Sequence, residues 1–534
     1  MDTIIRQATV DDALRWLDLL KRVLGDDYPD LQVYDTAWIG SQLDPAVGHE
    51  TWVVERNGGL AASVSFLQPM SQTRNPVVNL GRQLFPAESI EDGSAEALLN
   101  QVNQLGQERK QAIIARVLAG DAGQQQLFEK LGYICAGFQP FKHVIRNRHG
   151  ALFYLRLATQ ESGQRHPVSE SLHQIIDLAN AVLERVQMPA LTIVRDGVTG
   201  YPLQADLQIE TASYHDFALW RLHAQSSAPA TELSSGYNLG LGYLRTSGDA
   251  PVRAVLAKRS GKVLAGLAFL EDTLDRCVRL VDSFGAEDTA TGMLFQHVAK
   301  QSQEQFNAAY VEADVLVSAP RLLKTAEQLG FAPVAYLPAL FANAEGRTDV
   351  VKMVRLNMAY APEPAEFCAG ARPIVTLIDQ HFQDQKIGVA IMNLLRGLSI
   401  FSGLGEGELR KVARLLVQRL YRPGETVFHK GDAGDQAYVV MRGQIEIHLE
   451  DKTLPIAMVT SGQIFGELAF LDGSPRIATA IANQATIVLV IARDAFNDLM
   501  QREPRLGLVV LRNMALELSN RLRRTNIVAS AVKK

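Results

Sequence analysis

Cysteine is scarce: the 534-residue chain holds three, Cys135, Cys277 and Cys368, far apart and without a CxxC pair. That spacing argues against a disulfide framework and against a thiolate zinc site. The 11 histidines form no HxxxH or HxH pair near a cysteine, so no metal is expected. Long apolar runs are missing too; none approaches the ~20 residues that a membrane helix needs. The opening Met1-Asp2-Thr3-Ile4-Ile5-Arg6 lacks the basic stretch and apolar core of a secretory leader. Neither sign of charge dominates, since the net charge is -5, and nothing in that balance asks for nucleic acid. The expected location is cytoplasmic, with neither membrane nor DNA as a partner.

What remains is an ordinary globular composition, 47% hydrophobic, 21% charged and 7% aromatic. The length suggests about three or four domains. Two stretches match each other piece by piece. Ile5-Arg6-Gln7-Ala8-Thr9-Val10-Asp11-Asp12, followed by Trp16, is echoed by Ile209-Glu210-Thr211-Ala212-Ser213-Tyr214-His215-Asp216, followed by Trp220. Each reads as a short strand, an Asp-bearing cap and a helix. The run from Glu55 to Leu67 matches that from Lys258 to Leu270. Apolar residues around Asn57-Gly58 and Ser260-Gly261 predict hairpins there, because these turn residues accept positive φ. Glu129-Lys130-Leu131-Gly132-Tyr133, with Pro140 beyond, pairs with Glu327-Gln328-Leu329-Gly330-Phe331, with Pro338 at the same distance. Ala115-Arg116-Val117 and Ala313-Asp314-Val315 precede them at equal spacing. These ordered matches predict an internal repeat.

The order of elements is strand–helix, hairpin, strand, helix, strand, a helix ending in Leu-Gly-aromatic, then two strands. It resembles the GNAT acyltransferase fold over about residues 1–158 and 205–358. In that family the turn after the fourth strand, patterned Q/R-x-x-G-x-G/A, binds the pyrophosphate of acyl-coenzyme A. Small residues there let backbone N–H groups and a helix N-terminus approach phosphate. The resemblance gives this role to Gly93, Ser94 and Ala95, with Ile90 where the family has Gln or Arg. A cap formed by Asp92 on the helix carrying Leu98, Leu99 and Val102 is the other reading of the same turn. In the second repeat the matching positions are Ala286, Thr289 and Thr291, and both glycines are absent. Many members also place a tyrosine four residues before the Gly of the last helix as a general acid. Phe128 and Ala326 stand there and cannot donate a proton. No catalytic residue is named on this basis, and acetyl-CoA is expected, if bound, in the first repeat. Tyr133 and Phe331 are expected to be core aromatics.

Two connectors follow the repeats. In residues 159–204, after Pro167, the amphipathic run Leu172, Ile175, Ile176, Ala179, Val182, Leu183 and Val186 predicts a helix. In residues 359–396, Ala361-Pro362-Glu363-Pro364 breaks the chain before Pro373 opens a second helix, with Ile374, Leu377, Ile378 and Phe382. Ile391, Leu394, Leu395 and Leu398 lead onward. Each stripe offers a surface for packing on the chain's own domains or for a homodimer.

From about Leu398 short strands are punctuated by glycine, which suggests a small β-roll. Arg422-Pro423-Gly424, Lys430-Gly431-Asp432-Ala433-Gly434-Asp435 and Arg442-Gly443 read as turns. Then comes Phe465-Gly466-Glu467-Leu468-Ala469-Phe470-Leu471-Asp472-Gly473-Ser474-Pro475-Arg476-Ile477-Ala478-Thr479. It resembles the phosphate-binding cassette of cyclic-nucleotide-binding domains, F-G-E-L-A-L-x-x-x-x-P-R-x-A-T, and the resemblance covers about residues 395–525. It implies that the binding residues are Gly466, Glu467, Leu468, Ala469, Arg476, Ile477 and Ala478. Arg476 would neutralise the cyclic phosphate with paired hydrogen bonds. Amide groups of the helix after Gly466 would add an anion site. Glu467 would accept from the ribose 2′-hydroxyl, and Ala478 is small enough for backbone to approach the phosphate. An Arg476–Glu467 pair in an empty pocket is the competing structural reading. In the family a Thr directly after the arginine favours cyclic GMP; Ile477 has no hydroxyl, so cyclic AMP is expected. The adenine lid would come from the helix of about Pro504 to Arg524. The end of the chain soon after Arg524 leaves no room for a helix-turn-helix. Arg521, Arg523, Arg524, Lys533 and Lys534 read as a solvated helix end.

The expected architecture is multidomain: two α/β (α+β) GNAT-like domains, then a β-roll cyclic-nucleotide-binding domain with flanking helices over 397–526. Two functions fit. One is an acyltransferase for protein lysine or another amine, switched by the nucleotide. The other is a non-enzymatic effector whose degenerate repeats bind a partner protein.

Overall fold

Among the described residues, fourteen strands of a first unit, Met1–Phe382, pair into one sheet; a second unit runs Gln383–Lys534. The structure is a computed structural model. It describes residues 3–516 and 519, except 27, 45–48, 68–76, 159–164, 167, 169, 196–197, 225–231, 234–239, 242, 247–250, 286, 344–345, 386–388, 450–453 and 517–518. Ala286, Pro167 and the basic residues Arg521 to Lys534 therefore lie outside the described residues.

The sheet strands are β1 (Thr3–Gln7), β2 (His49–Arg56), β3 (Gly59–Leu67), β4 (Val77–Leu84), β5 (Ala112–Leu118), β6 (Ile134–Ile145) and β7 (Asn147–Arg156). They continue with β8 (Gln208–Ala212), β9 (Val252–Arg259), β10 (Lys262–Asp272), β11 (Cys277–Gly285), β12 (Tyr310–Leu316), β13 (Ala332–Asn343) and β14 (Gly346–Leu356). Their order is β1-β2-β3-β4-β5-β7-β6-β13-β14-β12-β11-β10-β9-β8, so each set of seven runs in the same sequence outward from the centre. At the centre Gly137 of β6 pairs with Ala335 of β13. A Cβ on Gly137 would stand 2.2 Å from that of Ala335 and 2.4 Å from the Val334 carbonyl oxygen, so only glycine fits the junction.

Local chemistry explains the hairpins. Asn57 and Gly58 have φ of 52° and 80°, Ser260 and Gly261 50° and 80°. Such left-handed pairs match the twist of the flanking strands. Within the sheet, parallel pairing occurs between β4 and β5 and between β11 and β12. It holds from Val77–Leu80 to Ala112–Ala115, and from Cys277–Leu280 to Tyr310–Ala313. Beyond those pairs the strands continue unpaired with one another, so each parallel pair opens at its carboxyl end.

The helices of this unit include α1 (Ala13–Leu24), α2 (Ser94–Glu108), α3 (Ala122–Lys130), α4 (His173–Arg185), α5 (Tyr214–Ala224), α6 (Asp288–Glu304), α7 (Pro320–Gln328) and α8 (Arg372–Gln385). The stripe on α4 buries Ile175, Ile176, Ala179, Val182 and Leu183, and α8 buries Ile374, Ile378 and Phe382, all in one apolar core with the sheet. That core also encloses charge. Glu312, fully buried, accepts from Lys142 Nζ at 2.9 Å, pairs with Arg279 and lies 3.9 Å from Lys352 Nζ. Burial pushes the Glu312 carboxyl up, but Arg279, Lys142 and Lys352 outweigh it and hold it well below the usual range.

The second unit is built on two four-stranded sheets. One contains β15 (Leu416–Tyr421), β17 (Gln436–Arg442), β20 (Ile464–Phe465) and β22 (Thr486–Ala492); the other β16 (Thr426–Phe428), β18 (Gln444–His448), β19 (Ala457–Thr460) and β21 (Thr479–Ala482). Between them lie Phe428, Tyr438, Val440, Ile445, Phe465, Ala480 and Val488. The helices α9 (Val389–Gly397), α10 (Glu406–Ala413), α11 (Glu467–Asp472) and α12 (Arg493–Arg502) flank this roll. Leu395, Ile400, Val412, Phe470 and Phe496 form a second core with Leu506, Val510 and Met514 from the helical residues 504–516.

Candidate ligand-binding site

The site is assembled where β20 ends in Gly466. This residue takes φ of 72°, and a Cβ there would lie 2.8 Å from Arg476 Nη1. Both facts demand glycine. The left-handed turn launches α11, whose first intrahelical bond is from the Phe470 N–H to the Gly466 carbonyl at 3.3 Å. The N–H groups of Glu467, Leu468 and Ala469 precede that bond and need other acceptors. Close to this turn, a Cβ on Gly434 would meet the Ala469 Cβ at 2.2 Å, so the loop before β17 packs directly on α11.

Arg476 comes from the segment before β21. Its backbone is held by the loop from Gly431: Gly431 N–H donates to the Arg476 carbonyl at 2.8 Å, and Arg476 N–H to the Asp432 carbonyl at 2.9 Å. The side chain is turned inward, and Arg476 as a whole is only 3% exposed. Nη1 donates to the Gly466 carbonyl at 2.7 Å and Nη2 to the Gln436 carbonyl at 2.6 Å, while Nε has no partner among the described residues. The group lies 4.3 Å from the ring centre of Phe428 and 5.6 Å from that of Tyr438. No carboxylate among the described residues forms an ion pair with it. Burial lowers its pKa, with Tyr438 and Asp435 opposing. A buried cation without a counter-ion is costly, and it is a ready receptor for an anion.

The guanidinium opens on a cavity of 580 Å³, within the range of about 300–1,000 Å³ typical of small-molecule sites. All seven residues expected from the sequence line it: Gly466, Glu467, Leu468, Ala469, Arg476, Ile477 and Ala478. Glu467, Ala469 and Ala478 are buried; Leu468 and Ile477 are exposed. Glu467 sits on the first turn of α11 and is not paired with Arg476. An apolar wall comes from Ile447, Leu449, Ile456 and Met458, and Leu398 and Ile400 also line the cavity. The sequence reading missed that wall and the ring pair Phe428 and Tyr438; the alternation of β16 and β17 carries the only local sign of the rings. Residues 504–516 form the start of the expected lid helix, and residues 517–518 and 520–524 lie outside the described residues.

In the first unit, Gly93 takes φ of 80° as the cap of α2, and the Ser94 N–H donates to Asp92 Oδ1 at 2.9 Å. Asp92 also pairs with Arg56. Ser94 and Ala95 are buried, 4% and 0% exposed. Phe128 packs edge-on against Tyr133 at 4.9 Å and stacks on Tyr154 at 5.8 Å. Ala326 and Phe331 are buried in the core, as is Tyr133. Thr289 and Thr291 lie in the first turn of α6. Among the described residues no group of three or more His, Cys, Asp or Glu is placed to hold a metal, and no helix is long and apolar enough to cross a membrane.

Residues 418–503 match the family model of the cyclic nucleotide-binding domain, and this part of the chain is such a domain. The Cyclic AMP receptor protein of Thermus thermophilus is 31% identical over 136 residues, 25% of this chain and 61% of that protein. The cGMP-dependent protein kinase of Plasmodium berghei is 30% identical over 125 residues, 23% of this chain and 14% of that protein. Among solved structures, a cyclic nucleotide-binding domain from Methylobacillus flagellatus is 26% identical, covering 26% of this chain and 80% of that one, with a TM-score of 0.25. The chain thus spans at most 61% of these two curated relatives.

Proposed function

We propose that the chain is a receptor for a cyclic purine ribonucleotide, cyclic AMP ahead of cyclic GMP, and that occupancy of its roll regulates the first unit. One observation carries the ligand class: Arg476 is buried, faces a cavity and has no anionic partner among the described residues. A cyclic phosphate brings one negative charge to it. Glu467 takes the 2′-hydroxyl, and the apolar wall takes the base. Ile477 offers no hydroxyl to guanine, and the resemblance to a Cyclic AMP receptor protein favours the same choice.

For the first unit, we read residues 1–158 and 205–358 as tandem GNAT-like domains. The twice-repeated strand order, with one parallel pair opening in each half, supports that reading. An acyl-CoA-dependent N-acyltransferase, using the turn Gly93-Ser94-Ala95, is the first form of it. The enclosed Phe128 and Ala326 and the burial of Ser94 and Ala95 support the second form, an effector that docks a protein partner.

Thermal melts of the full chain with cyclic AMP, cyclic GMP and cyclic 2′-deoxy-AMP test the proposal. A ligand at one hundred times its Kd stabilises by about 2.7 kcal/mol. The expected ranking is cyclic AMP first, with the deoxy analogue weakened through Glu467. No shift with any of the three overturns the receptor reading. Acetyl-CoA titrated with and without cyclic AMP then separates the two forms.

A further inference from the structure

In sheets with helices, ligands enter the crevice beyond the carboxyl ends of parallel strands. The first unit has two such crevices, one where β4 leaves β5 and one where β11 leaves β12. Both are filled by the chain itself, from one connection between α5 and β9. Glu232 and Leu233 enter the second crevice: the Leu316 N–H donates to the Glu232 carbonyl at 2.9 Å, and Leu233 forms a bridge to Val315. Tyr243 and Leu244 enter the first: Arg82 Nε donates to the Leu244 carbonyl at 2.9 Å, and the Tyr243 hydroxyl to the Gln83 carbonyl at 3.1 Å. Leu244 is fully buried, and Tyr243 meets the His143 ring edge-on at 5.9 Å.

The first fit is incomplete. A residual void of 10 Å³ remains among Gly81, Arg82, Gln83, Arg116, His143 and Tyr243, about the size of one water. Gln83 is 3% exposed, yet its Oε1 has no partner among the described residues. Arg82, whose Nε holds Leu244, sits in the left-handed region at φ of 49°, where a long side chain is strained. The void, the orphaned acceptor and the left-handed holder all meet at this one contact. We propose that Tyr243-Leu244 is an internal plug in the first crevice, so that the first unit is held closed and admits a ligand between β4 and β5 only when this pair withdraws. The choice of probe rests on the acyltransferase form of the function proposed above.

The test uses the full chain, wild type and Tyr243→Ala/Leu244→Ala, with two readouts. The first is amide hydrogen exchange without ligand; the second is calorimetric titration with acetyl-CoA. The plug predicts faster exchange confined to residues 81–84 and 116–119 in the variant, with acetyl-CoA bound at least tenfold more tightly than by wild type. Local opening with no acetyl-CoA binding by either protein keeps the plug and removes the acyl-donor reading. Equal acetyl-CoA binding by both proteins overturns the plug, as does exchange that rises throughout the first unit, which makes Leu244 a plain core residue.

Discussion

Both units bury cations, and they treat them in opposite ways. In the first, Lys142 and Arg279 pair with Glu312 and Lys352 pairs with Asp314 at 2.6 Å, so these cations find carboxylates inside the fold. In the second, Arg476 is nearly as buried but leans on two carbonyls and two rings, with 580 Å³ of open space before it. Desolvation penalises both arrangements. In the first it is offset within the protein, and the cations serve the fold. In the second it is not offset by any ion pair among the described residues, and on the receptor reading proposed above a ligand offsets it. A buried arginine is therefore read by what is missing around it.

The comparison breaks most visibly at Glu312. Glu312→Gln removes the carboxylate that pairs with Lys142 and Arg279, while Lys352 keeps Asp314 at 2.6 Å; loss of one partner of such a cluster costs about 3–5 kcal/mol. Denaturant unfolding should show that loss in the first unit, with cyclic AMP affinity of the second unchanged under folded conditions. Next comes Gly466→Ala. A left-handed alanine costs roughly 1–2 kcal/mol, and its Cβ would press on Arg476 Nη1, so both the melting of the roll and nucleotide affinity should fall. Smaller still is the effect of Arg476→Ala on the ligand-free fold. With no ion pair to break, the change should stay near the ~1 kcal/mol of a typical net hydrogen bond.

The remaining effect is on pH. Burial pushes His143 down to about 4, against the pull of Asp275 at 3.0 Å and with Arg116 and Lys142 adding to the shift. An imidazole neutral in the fold and protonated when unfolded means that the unfolded state binds more protons between about 4 and its ordinary 6.5. Stability of the first unit should therefore fall as pH drops through that window, and His143→Gln should flatten the slope. Burial raises Asp282 to about 6, which works in the opposite direction between 3.8 and 6, so the wild-type slope is a difference and the variant isolates His143.

Much of this was legible because the signals are local. Asn57-Gly58 and Ser260-Gly261 announced their turns, and Gly431 and Gly443 take φ of 89° and 107° at the turns expected for them. The seven cassette residues line one cavity because the short segment Gly466 to Ala478 folds around its own glycine and arginine. What the sequence hid depends on distant partners. Lys142 and Glu312 lie 170 residues apart, and Arg82 and Leu244 162 apart; no periodicity marks such pairs. The Gly137–Ala335 junction that fuses seven strands to seven is equally silent, since a lone glycine in an apolar run carries no sign of what will approach it.

The central claim is that Arg476 is a receptor for a cyclic phosphate. Calorimetric titration of cyclic AMP into the full chain, wild type and Arg476→Ala, tests it most directly. One nucleotide should bind per chain, and loss of the charge-assisted contacts, about 1.5–3 kcal/mol, should weaken binding by roughly ten- to a hundredfold. Binding of equal strength in both proteins, or no binding in either, would contradict it.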